Sequence, residues 1–314
     1  MHGAISAQPE ERQAASRHRL LSSVQSPSGI GRILAGRYRI ERLLGTGASG
    51  TVWFVRDTRE KGKVWALKEV DVSGLSSQEQ LETWNMFSRE ADMLMQLEHP
   101  YLPKVVARFQ EQGRHFLVME RVEGPTLQSV LKDAKVPIPE GDVISWGAQL
   151  CEVLHYLHSL EPPIVYRDLK PANVMVSVRG PLKLVDFGIA RVLNPTQAGD
   201  TTAYGTPGYA PIEQYLGKTS PRSDLYALGA TLYQLLTLQD PEPFRFNFPP
   251  LRRFAPEANP KLELLLGDLL QKEAEQRPES AYEVLQRLGE IRELKKSIWK
   301  RMKVQVKTWW SGNL

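Results

Sequence analysis

Between residues 164 and 175 the chain reads IVYRDLKPANVM, and after a short turn it continues LKLVDFG to residue 188. Asp168, Lys170, Asn173 and Asp186 are therefore embedded in sequence that otherwise reads as buried. Unpaired charge is costly in such a place, so these groups need partners. Asn173 and Asp186 offer an amide and a carboxylate, oxygen donors of the kind the hard cation Mg²⁺ takes. A hairpin over 174–185 would fold Asp186 back towards Asn173. Asp168, close by, could accept a proton from a hydroxyl, and Lys170 could offset phosphate charge. A purely internal salt-bridge network is the bland alternative.

Three further elements lie upstream. GTGASGTV spans residues 45–52. Its glycines, Gly45, Gly47 and Gly50, allow a backbone to approach phosphates and offer N–H groups to them. The turn joins two strand-like runs rather than a strand and a helix, so it does not fit a dinucleotide-binding turn; by itself it is equally a flexible hairpin tip. Lys68 closes the apolar run VWALK, where a snorkelling edge lysine is the plain reading. Glu90 lies in a helical pattern over 76–97, whose apolar face carries Trp84, Phe87, Ala91, Leu94 and Leu97. At about 100° per residue Glu90 falls on that face, between Leu94 and Leu97. A Lys68–Glu90 pair would satisfy both groups and would hold the ammonium within reach of phosphate oxygens.

The elements that must position these groups divide the chain. RYRIERLL, TVWFVRDT and KVWALKEV read as successive antiparallel strands, and VVARFQEQGRHFLVME as a hairpin turning near Gln112–Gly113. After EGPTL the pattern becomes helical, over 142–159, 224–237, 261–272 and 279–293, with 224–237 apolar nearly all round, as a helix inside a core would be. The expected fold is α+β and bilobal: an extension at 1–36 lacking order, a small β-rich lobe with one helix at 37–119, a connector at 120–124, a larger helical lobe at 125–290 and a basic tail at 291–314.

Composition sets outer bounds. With 314 residues, 41% hydrophobic and 24% charged, the chain is of ordinary globular type. Its net charge of +4 conceals a tail of +6, an N-terminal extension of +2 and hence a body of −4. A nucleic-acid-binding domain would carry its positive stripe on the body, so no nucleic-acid partner is expected. Residue Cys151 is the one cysteine and reads as a core thiol in a reducing compartment. No apolar run is long enough to span a membrane, and the N-terminus lacks a signal-peptide core. A cytoplasmic location is expected.

Taken in order, GTGASGTV, VWALK, SREADML, YRDLKPAN, DFG, GTPGYAPIEQ, SPRSDLYALG and EQRPES resemble the signature set of the eukaryotic-type protein kinase family, over about residues 37–290. The phrasing looks bacterial. The resemblance implies ATP and Mg²⁺, or Mn²⁺ in its place, as cofactors, and proteins bearing Ser or Thr hydroxyls as substrates. It implies that Gly45, Thr46, Gly47, Ala48 and Gly50 cover the phosphates, and that Lys68, held by Glu90, contacts the α- and β-phosphates. Val52, Ala66 and Met175 would wall the adenine, Met119 would stand at the back of its pocket, and Glu120 and Val122 would bind it through their backbones. Asn173 and Asp186 would hold the metal, Asp168 would act as catalytic base and Lys170 would meet the γ-phosphate. Asp224 would brace the catalytic loop, and Glu213 with Arg277 would anchor the end of the activation segment. Lys170, two residues after Asp168, is the serine/threonine-kinase pattern. Two residues depart from the family pattern: Tyr166 stands where His is usual, and Ile212 replaces the Pro of Ala-Pro-Glu.

Two segments suggest regulation. The loop from Asp186 to Glu213 is long and carries Thr196, Thr201 and Thr202. Autophosphorylation at Thr201 or Thr202, read by Arg167, would order it. In the tail, Ile291, Leu294, Ile298, Met302, Val306 and Trp309 form one stripe, with Arg292, Lys296, Lys300, Lys303 and Lys307 largely opposite. Such a segment either lies on an anionic membrane surface, with Trp309 and Trp310 at the interface, or packs its stripe on the body of the protein.

Overall fold

Runs rich in Val, Ile, Trp and Phe build the first lobe because such side chains suit a half-buried pleated surface. The computed structural model describes residues 29–47, 50–178, 180–186 and 205–293. Six strands form one antiparallel sheet: β1 (Ile33–Leu34), β2 (Tyr38–Gly47), β3 (Gly50–Asp57), β4 (Val64–Asp71), β5 (Val105–Glu111) and β6 (Arg114–Glu120). They are ordered β1-β2-β3-β4-β6-β5. Gln112 and Gly113 both have positive φ, 49° and 67°, the conformation a two-residue hairpin turn needs to follow the strand twist.

One face of the sheet packs on helix α1 (Ser77–Gln96). Ser76 caps this helix and forms a capping box with Glu79, which satisfies two otherwise orphan N–H groups. The other face carries a separate core of Leu34, Tyr38, Ile40, Trp53, Val55, Leu67, Phe116 and Val118. Tyr38, Phe109 and Phe116 stack there, with centroids 5.9 and 4.9 Å apart. Leu34 is fully buried in that core. The expectation that residues up to 36 lack order therefore needs correcting for 29–36. This stretch is held by the β1–β2 pairing and by Glu111, which accepts from Arg32 Nη2 at 2.8 Å and from the Ala35 amide at 2.9 Å. The sequence hides this because the strand has only two residues and Glu111, which ties it down, lies some 76 positions away.

The second lobe contains α2 (Leu127–Asp133), α3 (Glu140–His158), α4 (Ile212–Tyr215), α5 (Pro221–Thr237), α6 (Pro260–Leu269) and α7 (281–293), with a two-strand ribbon, β7 (Val174–Met175) and β8 (Lys183–Leu184). All residues of α5 from Ser223 to Thr237 are buried. A Cβ at Gly229 would stand 2.8 Å from Leu269 Cβ, so glycine there lets α5 and α6 approach closely.

Candidate functional site

Strand register brings the first group together. Val52 pairs with Lys68, and Ala66 with Met119. Directly opposed residues share a face, and alternate residues along a strand do too. Val52, Ala66, Lys68 and Met119 thus line one side of the sheet, opposite the core of Trp53, Val55, Leu67 and Val118. The Gly-rich turn extends this face: Gly45 pairs with Val52, Thr46 with Thr51 and Gly47 with Gly50. Gly45 and Gly47 have open space where a Cβ would stand. Gly50 has φ +123°, and a Cβ there would lie 2.3 Å from the Glu69 carbonyl oxygen, so no other residue fits. Ala48 lies outside the described residues.

Glu120, at the start of the connector, bonds to both lobes. The Glu120 amide donates to Lys104 O at 2.8 Å, and its carboxylate accepts from Lys183 Nζ at 3.0 Å. Val122 is half-buried. At Gly124, φ is +143°, and a Cβ would sit 1.9 Å from Val176 O. Met175 bridges to Thr126, just past the connector.

Asp168 is the centre of the second group. Its Oδ1 accepts from Thr206 Oγ1 at 2.9 Å, and its Oδ2 from Asn173 Nδ2 at 3.0 Å and Lys170 Nζ at 3.1 Å. Lys170 also donates to Thr206 at 2.7 Å. The Asn173 amide nitrogen donates to Asp168 O as well, at 2.8 Å, which leaves its carbonyl oxygen as a donor atom for a cation. The Val185 amide donates to Asn173 O at 2.8 Å, so the β7–β8 ribbon brings Asp186 beside Asn173. An amide oxygen and a carboxylate are donor types that fit Mg²⁺.

Buried Asp224, on α5, holds the loop that carries Asp168. Its carboxylate accepts from the Tyr166 and Arg167 amides at 2.8 and 2.7 Å, and His158 Nε2 lies 2.8 Å away. Tyr166, the residue in the usual His position, is buried and donates its hydroxyl to Val185 O, tying the loop to the residue before Asp186. Arg167 and Asp186 both have positive φ, 69° and 64°. Gln214 Nε2 donates to Arg167 O at 2.9 Å. Arg277, 3% exposed, bonds Glu213 at 2.6 and 3.1 Å and three backbone carbonyls besides. The supports from Gln214, His158 and Lys183 had no local signal, since each bridges residues 47 or more positions apart.

One expectation fails. Lys68 does not pair with Glu90 in this structure; its ammonium meets Asp186 Oδ1 instead. Asp186, itself at positive φ, presents its carboxylate to the Lys68 ammonium on β4. Glu90 Oε2 is buried and has no hydrogen-bond partner. Burial therefore raises the Glu90 pKa, while the fields of Lys68 and Arg167 act to lower it. Thr201 and Thr202 lie outside the described residues, as does the tail beyond 293.

Comparison with known proteins places this arrangement. The family model described as the protein kinase domain matches residues 38–288. The chain is 37% identical to the serine/threonine-protein kinase pkn2 of Myxococcus xanthus over 82% of this chain and 32% of that protein. It is 34% identical to pkn3 of the same organism over 80% of this chain and 49% of that one. It thus spans less than half the length of these relatives. The kinase domain of Mycobacterium tuberculosis PknI superposes with a TM-score of 0.67 at 27% identity, over 83% of this chain and 98% of that one. The matched segment runs through both lobes and through every loop that holds Asp168, Asn173 and Asp186; the chain belongs to the protein kinase domain family.

Proposed function

We propose that the chain is a serine/threonine protein kinase that transfers the γ-phosphoryl group of ATP to Ser or Thr hydroxyls of proteins. The observation that carries this is the setting of Asp168. Its carboxylate is fixed by Asn173, Lys170 and Thr206, with Asp186 close by on the ribbon. An incoming hydroxyl in the place of Thr206 Oγ1 would find an oriented acceptor for its proton, and Lys170 would offset the charge of the group transferred. The sheet face of Val52, Ala66 and Met119, with Met175 opposite, would receive the adenine, and the connector backbone at Glu120 and Val122 would bind its edge. The open backbone at Gly45 and Gly47 would cover the phosphates. Asn173 and Asp186 would hold Mg²⁺, or Mn²⁺ in its place, which when bound neutralises phosphate charge. Activity towards the chain's own Thr201 or Thr202, read by Arg167, follows from the same chemistry.

The test is intact mass after incubation with ATP and Mg²⁺, beside Asp168→Asn. Stepwise phosphate gain in the wild type alone supports the proposal, and peptide mapping then locates the sites. Undiminished activity of a Thr201→Ala/Thr202→Ala variant would remove the loop threonines from the account. A second reading, a pseudokinase that binds nucleotide without transfer, draws on the Lys68–Asp186 pair and the unpartnered Glu90 oxygen. It predicts that ATP raises Tm while no mass is gained on any protein offered.

A further inference from the structure

An open apolar groove of about 840 Å³ runs along α6, away from the Asp168 site. Phe246, Phe248 and Leu251 line one side, and Leu264 and Gly267 of α6 the other. Leu264 is 65% exposed, a large apolar side chain facing solvent. Glu263, Asp268 and Glu273 also line the groove with Lys272; Asp268 is paired with Arg287, which leaves Glu263 and Glu273 as the acidic groups open to a cationic partner. The groove is therefore apolar within and acidic at its rim.

The end of α7 lies beside it. The Tyr282 ring meets His155, near the end of α3, at 5.4 Å. A Cβ on Gly147, in the middle of α3, would stand 3.2 Å from Leu288 Cδ1. Helix α7 thus runs antiparallel to α3. Arg287 Nη2 bonds Asp268 Oδ2 at 2.6 Å, on the groove wall. The Asn259 amide donates to Glu140 Oε2 at 3.0 Å, so α6 starts where α3 starts. Residue 293 consequently stands towards the α6 N-terminal end of the groove. The next 21 residues, 294–314, carry six Lys or Arg and no Asp or Glu, with the apolar stripe Ile298, Met302, Val306 and Trp309. Even at the helical rise they span about 30 Å, roughly twice the length of α6.

We propose that residues 294–314 dock in this groove of their own chain, the apolar stripe against Phe248 and Leu264 and the lysines beside Glu263 and Glu273. Charge complementarity selects this occupant. The tether raises its effective concentration to the millimolar range, so a contact too weak to hold a free peptide suffices. An anionic lipid surface would suit the same basic, Trp-bearing segment, and so would the groove of a second copy; the experiment separates the three.

The full chain is prepared with Gly267→Cys and Ser311→Cys. A Cβ at Gly267 meets nothing within 4 Å, and native Cys151 is buried and silent. Mild oxidation should give an intrachain link in monomer, independent of protein concentration. Val136→Cys with Ser311→Cys, using a site 70% exposed elsewhere on the same lobe, should link at least about tenfold less, as should the first pair with Leu264→Glu added. Links only between differently tagged chains would overturn the proposal in favour of a second copy. No intrachain link, together with equal sedimentation of wild type and Leu264→Glu on phosphatidylserine vesicles, would overturn it in favour of lipid. Absence of both link and sedimentation would overturn it outright.

Discussion

Glu90→Gln should make this protein more stable and less active at neutral pH. Glu90 Oε2 is buried without a partner, and burial is the largest influence raising its pKa. An unsatisfied buried polar atom costs about 1–3 kcal/mol, and more when charged. Gln keeps the unpartnered polar atom and removes only the charge, which Lys68 and Arg167 already relieve in part at a half-buried residue, so the expected gain is at the low end, about 1 kcal/mol. For a domain of this size that corresponds to roughly 2–4 °C in Tm. The sign with pH follows from proton counting. Unfolded Glu90 titrates near 4.5, and folded Glu90 titrates higher. Between those values the native state binds more protons, so wild-type stability falls as pH rises through the window. The gap between Gln and wild type should be absent below 4.5, open through the window and stay constant above it. Phosphoryl transfer should fall in the same variant if Lys68 leaves Asp186 for Glu90 during turnover. Thermal melts from pH 4 to 8, with a peptide-phosphorylation assay, check both. A variant less stable than wild type at pH 7 would refute the reasoning, since it would mean that Glu90 holds a partner in solution.

Arg277→Met leaves the Glu213 carboxylate without its cation, and breaking a buried pair from one side costs about 3–5 kcal/mol; calorimetry should show a Tm drop on the order of 10 °C. Gly124→Ala places a Cβ 1.9 Å from Val176 O at φ +143°, so urea melts should show a loss well above 1 kcal/mol. His115 is fully buried against Trp84 and Phe87, and burial pushes its pKa down to about 4 from 6.5. Between those values the unfolded chain binds more protons, so stability should decline on the order of 1 kcal/mol per pH unit as pH falls from 6.5 towards 4. His115→Leu should flatten that slope in melts across the range. Asp168→Asn keeps an isosteric side chain, so transfer should drop by a factor of about 10²–10⁴ with Tm within a few degrees of wild type.

The sequence by itself determined the elements and the inventory of chemistry. Period-two and helical patterns placed the strands, the Gln112–Gly113 turn and the buried helix at 224–237, because short-range sterics and the segregation of apolar side chains act locally. The site was legible for a related reason: Asp168, Lys170 and Asn173 are close in the chain, and one short ribbon returns Asp186 to them. Tertiary structure alone decided which charges meet. Lys68 is 22 positions from Glu90 and 118 from Asp186, and spacing gave no ground for preferring the farther carboxylate, which the fold brings to the β4 ammonium. The folding of residues 29–36 onto the sheet, the hydroxyl of Tyr166 on Val185 and the supports from Gln214 and Lys183 are likewise contacts across long loops. Such contacts are hidden in the sequence because a hydrogen bond needs its donor and acceptor at a set distance and angle, which only the folded chain supplies, whereas apolar periodicity is written into neighbouring residues.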